Sequence, residues 1–279
     1  MHDSTTGAGT RRLHWFGQTD RGRIRKNNED SFLALQFDAR ETHFLGKIGD
    51  ASLGHYDYVF AVSDGMGGEK AGEFASRITV ETITRLLPRS YRQAAVGLQP
   101  GFEDVLTELF DQVHRALMHY GGSYSECAGM GATLSLCWFA PTRMYFAHIG
   151  DSRVYHLPAD GGIQQISHDD THVGWLYRNA KINEREARTH PRRNVLQRAL
   201  GADHQFVQPQ VGAVDLQPGD RFLLCSDGLV EGLFDAQIHE MIREAAPAAP
   251  ELNIAQRLIH AALGAHTRDN ITAVVIEIA

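Results

Sequence analysis

The stretch Tyr58-Val-Phe-Ala-Val-Ser-Asp64-Gly-Met-Gly-Gly68 couples an apolar run to a carboxylate and three glycines within four residues. The run suits a buried strand. Glycine accepts positive φ and admits a close backbone approach, so the turn can offer a carboxylate and bare peptide groups together. The design returns in Asp220-Arg-Phe-Leu-Leu-Cys-Ser-Asp227-Gly228. One Asp-Gly pair is ordinary turn chemistry. Two apolar strands that each end in Ser-Asp-Gly predict carboxylates meeting at one edge of a β core.

Working outward, three more aspartates fall at strand ends. Asp30 opens the apolar run to Phe37, with Arg25 and Glu29 just before it. Asp151 lies between the runs Arg143 to Ile149 and Arg153 to Leu157, and Asp269 precedes Ile271 to Ile278. Leu13 to Gln18 reads as a first strand. Residues 71–87 and 102–120 carry apolar side chains at helical spacing, and Pro88 is expected to stop the first of these helices. Further helices are expected over Asp235 to Arg243 and Glu251 to Leu263, and strands over Ala132 to Phe139, Ile163 to Ile166 and Phe206 to Val214. Asp38 to Asp57 reads as an irregular hairpin connection, lying along the rim of the site or packed on the core. His168 to Leu200 reads as a polar excursion in which Asn183-Glu-Arg-Glu186 resembles a capping box. Strands in the middle with helices in pairs to either side indicate an α+β sandwich rather than alternating βαβ.

Composition sets the class. The 279 residues are 43% hydrophobic and 22% charged, with a formal net charge of −7 and no long basic run, which disfavours a nucleic-acid partner. The three cysteines show no C-x-x-C spacing, against a disulfide framework or a thiolate zinc site. No membrane span or signal peptide is apparent, so a cytoplasmic protein is expected, with residues 1–10 a disordered leader.

Converging carboxylates repel and stay ionised only beside a cation. Oxygen donors without His or Cys favour Mg²⁺ or Mn²⁺ over zinc. Two such ions activate water and clamp a phosphoryl group, and Arg25 offers a planar fork for a phosphate dianion. The residues themselves therefore point to hydrolysis of phosphate esters.

Seven motifs then run in family order: Arg25-Lys-Asn-Asn-Glu-Asp30, Ser63-Asp-Gly-Met-Gly-Gly68, Gly129-Met-Gly-Ala-Thr133, Gly150-Asp-Ser-Arg153, His190-Pro-Arg-Arg-Asn-Val-Leu196, Ser226-Asp-Gly228 and Arg268-Asp-Asn270. Together they resemble the metal-dependent type 2C (PPM) phosphatases of phosphoserine and phosphothreonine, bacterial type. The resemblance implies a four-layer αββα sandwich and one catalytic domain over residues 11–279, with a flap at 168–200. It implies that Asp64 bridges two Mn²⁺ or Mg²⁺ ions, that the Gly65 carbonyl binds one, and that Asp227 and Asp269 hold the other. Asp30 with Glu29 would act on the ions' waters or as outer ligands. Asp151, sharing Asp227, would build a third site, and Arg25 would grip the phosphate. Attack by a water bridging the two ions, phosphoprotein substrates, an opposing Ser/Thr kinase and a monomeric state are implied with it. Met66 stands where some relatives carry His, so no general acid is identified. A two-metal phosphohydrolase of small metabolites and a non-catalytic phosphoprotein-binding module are the alternatives. The latter has no need of a full ligand set.

Overall fold

The structure is a computed structural model that describes residues 11–38, 40–95, 101–202, 207–244 and 252–279. The expected leader lies outside the described residues. So do Phe206 and Glu251, where one expected strand and one expected helix begin.

The strands are β1 (Arg12–Asp20), β2 (Asp30–Phe37), β3 (Thr42–Phe44), β4 (Ile48–Ser52), β5 (Asp57–Met66), β6 (Gly131–Ala132), β7 (Leu134–Phe139), β8 (Arg143–Ile149), β9 (Arg153–Leu157), β10 (Gln164–Gln165), β11 (Gln210–Asp215), β12 (Arg221–Cys225) and β13 (Ile271–Ile278). The helices are α1 (Glu69–Ala95), α2 (Phe102–Ser123), α3 (His172–Arg178), α4 (Glu184–Thr189), α5 (Asp227–Gly232), α6 (Asp235–Arg243) and α7 (Ile254–Gly264). One sheet runs β10-β9-β12-β13-β1-β4; the other runs β11-β8-β7-β5-β2-β3, with β6 paired to β5. All the pairings are antiparallel.

Three cores stack these layers. Leu33, Val59, Ala61 and Leu136 meet Ile83, Leu109 and Phe110 of α1 and α2. Phe60, Val62 and Phe139 meet Phe222, Val274 and Ile276 between the sheets. Leu223, Cys225 and Val275 meet Leu229, Ile238 and Leu258 of the opposite helix layer. Strands buried on both faces read as unbroken apolar runs, because helices cover what water would otherwise reach. The expected αββα sandwich is the observed architecture.

Two local expectations are corrected. α1 continues through Pro88 to Ala95. Loss of one ladder donor costs less than the burial of the stripe Ala71, Ala75, Ile78, Ile83 and Leu87, which holds the preceding turns on the sheet. Among the described residues, 38–57 form no hairpin of their own. β3 pairs with Leu35–Phe37, while β4 pairs with Arg12–Phe16. Those are the ends of β2 and β1 remote from Asp30 and Asp20, so the segment crosses between the sheets away from the carboxylate end. Neither reading holds as stated: the segment lies away from the carboxylate end, and Leu53 is buried in the inter-sheet core while Phe44 and Ile48 are exposed.

At that far end Asp57 is buried and accepts a 2.8 Å hydrogen bond from Trp138 Nε1. Burial raises its pKa to about 6, against the opposing pull of that bond. The folded state then holds a proton that the unfolded chain releases near pH 4, so stability falls as pH rises through 4 to 6. Asp57→Asn cannot ionise. It should raise the Tm by a few degrees at pH 8 and by nothing at pH 4, at roughly 2–4 °C per kcal/mol for a large domain. Melting curves of both proteins at the two pH values check this, and an unchanged Tm at pH 8 would show that Asp57 carries no such penalty.

Candidate metal centre

Asp30 and Asp64 face each other directly across β2 and β5. The six-stranded sheet supplies the other side: Asp227 opens α5 just after β12, and Asp269 stands two residues before β13. Asp151 lies in the turn where the chain passes from β8 in one sheet to β9 in the other. Both layers thus deliver carboxylates to one end of the sandwich.

The electrostatics register the convergence. Burial first, then repulsion from Asp30, Asp227, Asp151 and Asp269, holds the Asp64 carboxyl well above the ordinary range. Asp227 is raised by burial and by Asp151, Asp269 and Asp30. Asp151 is raised to about 7 by burial and Asp169, against the pull of Arg153. Burial raises Asp30 to about 6, although Ser226 and Thr272 hydroxyls pull the other way.

Backbone and hydroxyl groups fix each aspartate. The Asp64 N–H donates to Thr133 Oγ1 at 3.0 Å, and Thr133 Oγ1 lies 2.5 Å from Ser152 Oγ, which ties Asp64 to the Asp151 turn. Asp30 Oδ2 accepts from Ser226 Oγ at 2.6 Å and Thr272 Oγ1 at 2.7 Å, joining the two sheets. Asn270 holds the Arg25 loop: its Oδ1 accepts from the Glu29 N–H, and its Nδ2 donates to the carbonyls of Arg21 and Asn27. Arg25 itself donates to Asp269 Oδ2 at 2.6 Å. Sequence reading quoted Thr133, Ser152, Ser226 and Asn270 inside motifs but gave them no task. Thr272 it missed; its only signal was a hydroxyl one residue into an apolar strand.

The donor set fits hard cations. Asp30 Oδ1 and Asp227 Oδ1 are buried acceptors without a hydrogen-bond partner. An oxygen left so in the interior is costly unless something positive meets it. A second feature lies at Gly72 of α1, where a Cβ would come 2.3 Å from Glu29 Oε2 and 2.8 Å from the Gly65 carbonyl oxygen. Two oxygens, one from a carboxyl group, share that notch. Among the described residues no three His, Cys, Asp or Glu side chains close into a ready cage. An ion that keeps several waters needs only one or two carboxylates, which is the habit of Mg²⁺.

His148 acts as a brace at this edge. His148 is buried, with Nδ1 2.9 Å from Ser135 Oγ and Nε2 near the carbonyls of Gly150 and His168. Burial lowers its pKa, so it is a neutral brace for the Gly150 turn. Met66 pairs with Gly131 in the short β5–β6 ladder.

The segment 168–200 packs beside the carboxylates through α3 and α4. The capping box is present: Asn183 Oδ1 accepts from the Glu186 N–H, and Glu186 Oε2 accepts from the Asn183 N–H. A cavity of about 100 Å³ separates this segment from α5, lined by Asp151, Arg153, Asp227, Arg188 and Arg193 among others.

Comparison with known proteins agrees with this arrangement. The model of the protein phosphatase 2C family matches residues 48–261. The serine/threonine protein phosphatase PstP of Mycobacterium tuberculosis is 35% identical over 269 residues, which is 95% of this chain but 45% of PstP. The chain thus spans about half the length of that relative. The serine/threonine phosphatase stp of Listeria innocua is 30% identical over 95% of this chain and 96% of its own. Among solved structures, the catalytic domain of PstP in complex with two manganese ions superposes with a TM-score of 0.74 at 32% identity, covering 97% of this chain and all of that one. The S. agalactiae serine/threonine phosphatase superposes with a TM-score of 0.78 at 25% identity, covering 96% of this chain and 100% of its own. Sequence, architecture and the carboxylate edge agree, and the chain belongs to the protein phosphatase 2C family.

Proposed function

We propose that the chain is a Mn²⁺- or Mg²⁺-dependent phosphatase of phosphoserine and phosphothreonine in proteins, opposing a Ser/Thr kinase. The observation that carries this is the delivery of buried, mutually repelling carboxylates from both sheets to one edge, with Arg25 on the same edge. Residues 11–279 would act as one catalytic domain with 168–200 as its flap. Asp64 would be shared between two ions, with the Gly65 carbonyl on one and Asp227 and Asp269 on the other. Asp30 and Glu29 would hold the surrounding waters, and Asp151 with Asp227 would take a third ion. Bound there, the ions would supply positive charge that acidifies water and neutralises phosphoryl oxygens. The chain's own part is alignment. Ser226 and Thr272 lock Asp30, Thr133 locks the backbone of Asp64, and Asn270 sets the loop bearing Arg25.

A guanidinium has five N–H donors, so the Arg25 bond to Asp269 leaves donors for a phosphate dianion. Arg25→Ala should raise KM for a phosphothreonine peptide by roughly tenfold to a hundredfold, from the ~1.5–3 kcal/mol of a charged hydrogen bond. Mn²⁺ affinity should move far less. Steady-state kinetics beside calorimetry decide it: an unchanged KM removes Arg25 from phosphate binding. The whole reading is tested by hydrolysis of phosphothreonine, phosphotyrosine and small phosphoester substrates with Mn²⁺, Mg²⁺ or chelator. Phosphothreonine peptides should lead, and chelator should abolish turnover. Turnover surviving chelation, or preference for a small metabolite, would overturn it.

A further inference from the structure

Glu231 has no assigned task, yet it stands where the carboxylate edge and the flap meet. It is the fifth residue of α5, the helix that Asp227 opens. Its Oε2 accepts from the Arg268 N–H at 2.8 Å and from Thr267 Oγ1 at 2.9 Å. Those donors belong to the turn immediately before Asp269. The single Thr267 hydroxyl proton lies between Glu231 Oε2 and the Gly228 carbonyl, also 2.9 Å away, and with the Arg268 N–H it clamps the turn to α5. There is no slack between them, since a Cβ on Gly228 would come within 2.0 Å of the Asn270 carbonyl oxygen.

The other carboxylate oxygen faces the flap. Arg193 Nη2 donates to Glu231 Oε1 at 3.1 Å. Arg188 of α4 donates to the backbone carbonyls of Glu231 and Leu233, both at 2.7 Å, and its guanidinium lies 4.0 Å from the centre of the Phe234 ring. Glu231 therefore links the turn carrying Asp269, the helix carrying Asp227 and the 168–200 segment. Burial alone would raise its pKa, but the bonds from Arg268, Thr267 and Arg193 outweigh it and hold the carboxylate ionised.

We propose that Glu231 is a positioning residue that sets the spacing of Asp227 and Asp269 through the Thr267–Arg268 turn and passes that setting to the flap through Arg193. The inference rests on the reading that those aspartates hold cations. A cation held by both aspartates would then also firm the flap. Loss of the Glu231 carboxylate loosens both, whereas loss of Arg193 loosens the flap alone.

The test uses the full chain as wild type, Glu231→Ala, Glu231→Gln and Arg193→Gln. Mn²⁺ affinity is read by calorimetry, and flap order by the rate of trypsin cleavage after Arg185 and Arg192, both exposed. Glu231→Ala should weaken Mn²⁺ binding about tenfold, the low end for loss of an outer-shell partner. It should also keep the flap cleavable at saturating Mn²⁺. Glu231→Gln, which retains one acceptor oxygen, should fall between it and wild type. If the alanine variant does not fold, the glutamine variant is judged on the same two readouts. Arg193→Gln should speed cleavage while keeping Mn²⁺ affinity within about twofold. Wild-type Mn²⁺ affinity and protection in the Glu231 variants would overturn the proposal, as would an Arg193 variant that loses Mn²⁺ affinity equally. A wild-type chain that takes up no Mn²⁺ would instead bring down the cation reading on which it stands.

Discussion

Asp64→Asn should lose more than about a hundredfold in turnover and in Mn²⁺ affinity while keeping its fold. A hundredfold is the upper end for removing a group that merely supports a ligand, and Asp64 is assigned as the shared ligand itself. The amide has the same shape, and its position is held by bonds that do not involve the carboxylate. The Asp64 N–H is fixed by Thr133 Oγ1, and its carbonyl accepts from the Thr133 N–H at 2.8 Å. What disappears is the charge. The substitution also removes a repelled carboxylate from a buried cluster, so in chelator the variant should melt no lower than the wild type. Phosphopeptide kinetics at saturating Mn²⁺, calorimetry and melting in chelator together check this. Turnover within tenfold of wild type would remove Asp64 from the centre of the site.

The second large effect is a stability that depends jointly on pH and cation. Asp30 titrates at about 6 and Asp151 at about 7 in the fold, and each returns to about 3.8 when unfolded. Folded pKa values above the unfolded ones mean that the native state binds more protons between those limits. Stability from these groups is complete below pH 4 and is lost as pH rises through 6 to 7. Divalent cations replace the protons. Mn²⁺ should therefore raise the Tm little at pH 5 and much at pH 7.5. A single ion at a hundred times its Kd adds ~2.7 kcal/mol, or roughly 5–10 °C in a chain of this size. Scanning calorimetry with Mn²⁺ or chelator at both pH values measures it. Equal shifts at the two pH values would show that the ions do not take the place of those protons.

Much of this was legible because it is written in local grammar. Apolar runs ending in Asp-Gly announce strands that stop at a carboxylate, and Asn183 with Glu186 announces a helix start. The crossing made by residues 38–57 was not legible. The partners of β3 and β4 lie in different sheets, and no local pattern says which sheet a short strand will join. Pro88 misled for a related reason, since burial supplied from elsewhere outweighed a local stop. Arg25 was read for its fork, but its bond to Asp269 spans 244 residues of sequence. Glu231 left no trace in the sequence reading, because its meaning comes from a turn and a flap that only the fold brings to it.

The strand β13 lies in the interior of its sheet, between β12 and β1. Its entry supplies Thr272 to Asp30 and brings Asp269 and Asn270 into place. On the ribosome, every other described element emerges before it. Before it, the chain holds Asp30 without its Thr272 bond, and the seam between β1 and β12 stands open. On the proposed reading, the carboxylate edge is complete only once this strand is seated, because it alone brings Thr272 to Asp30 and Asn270 to the Arg25 loop.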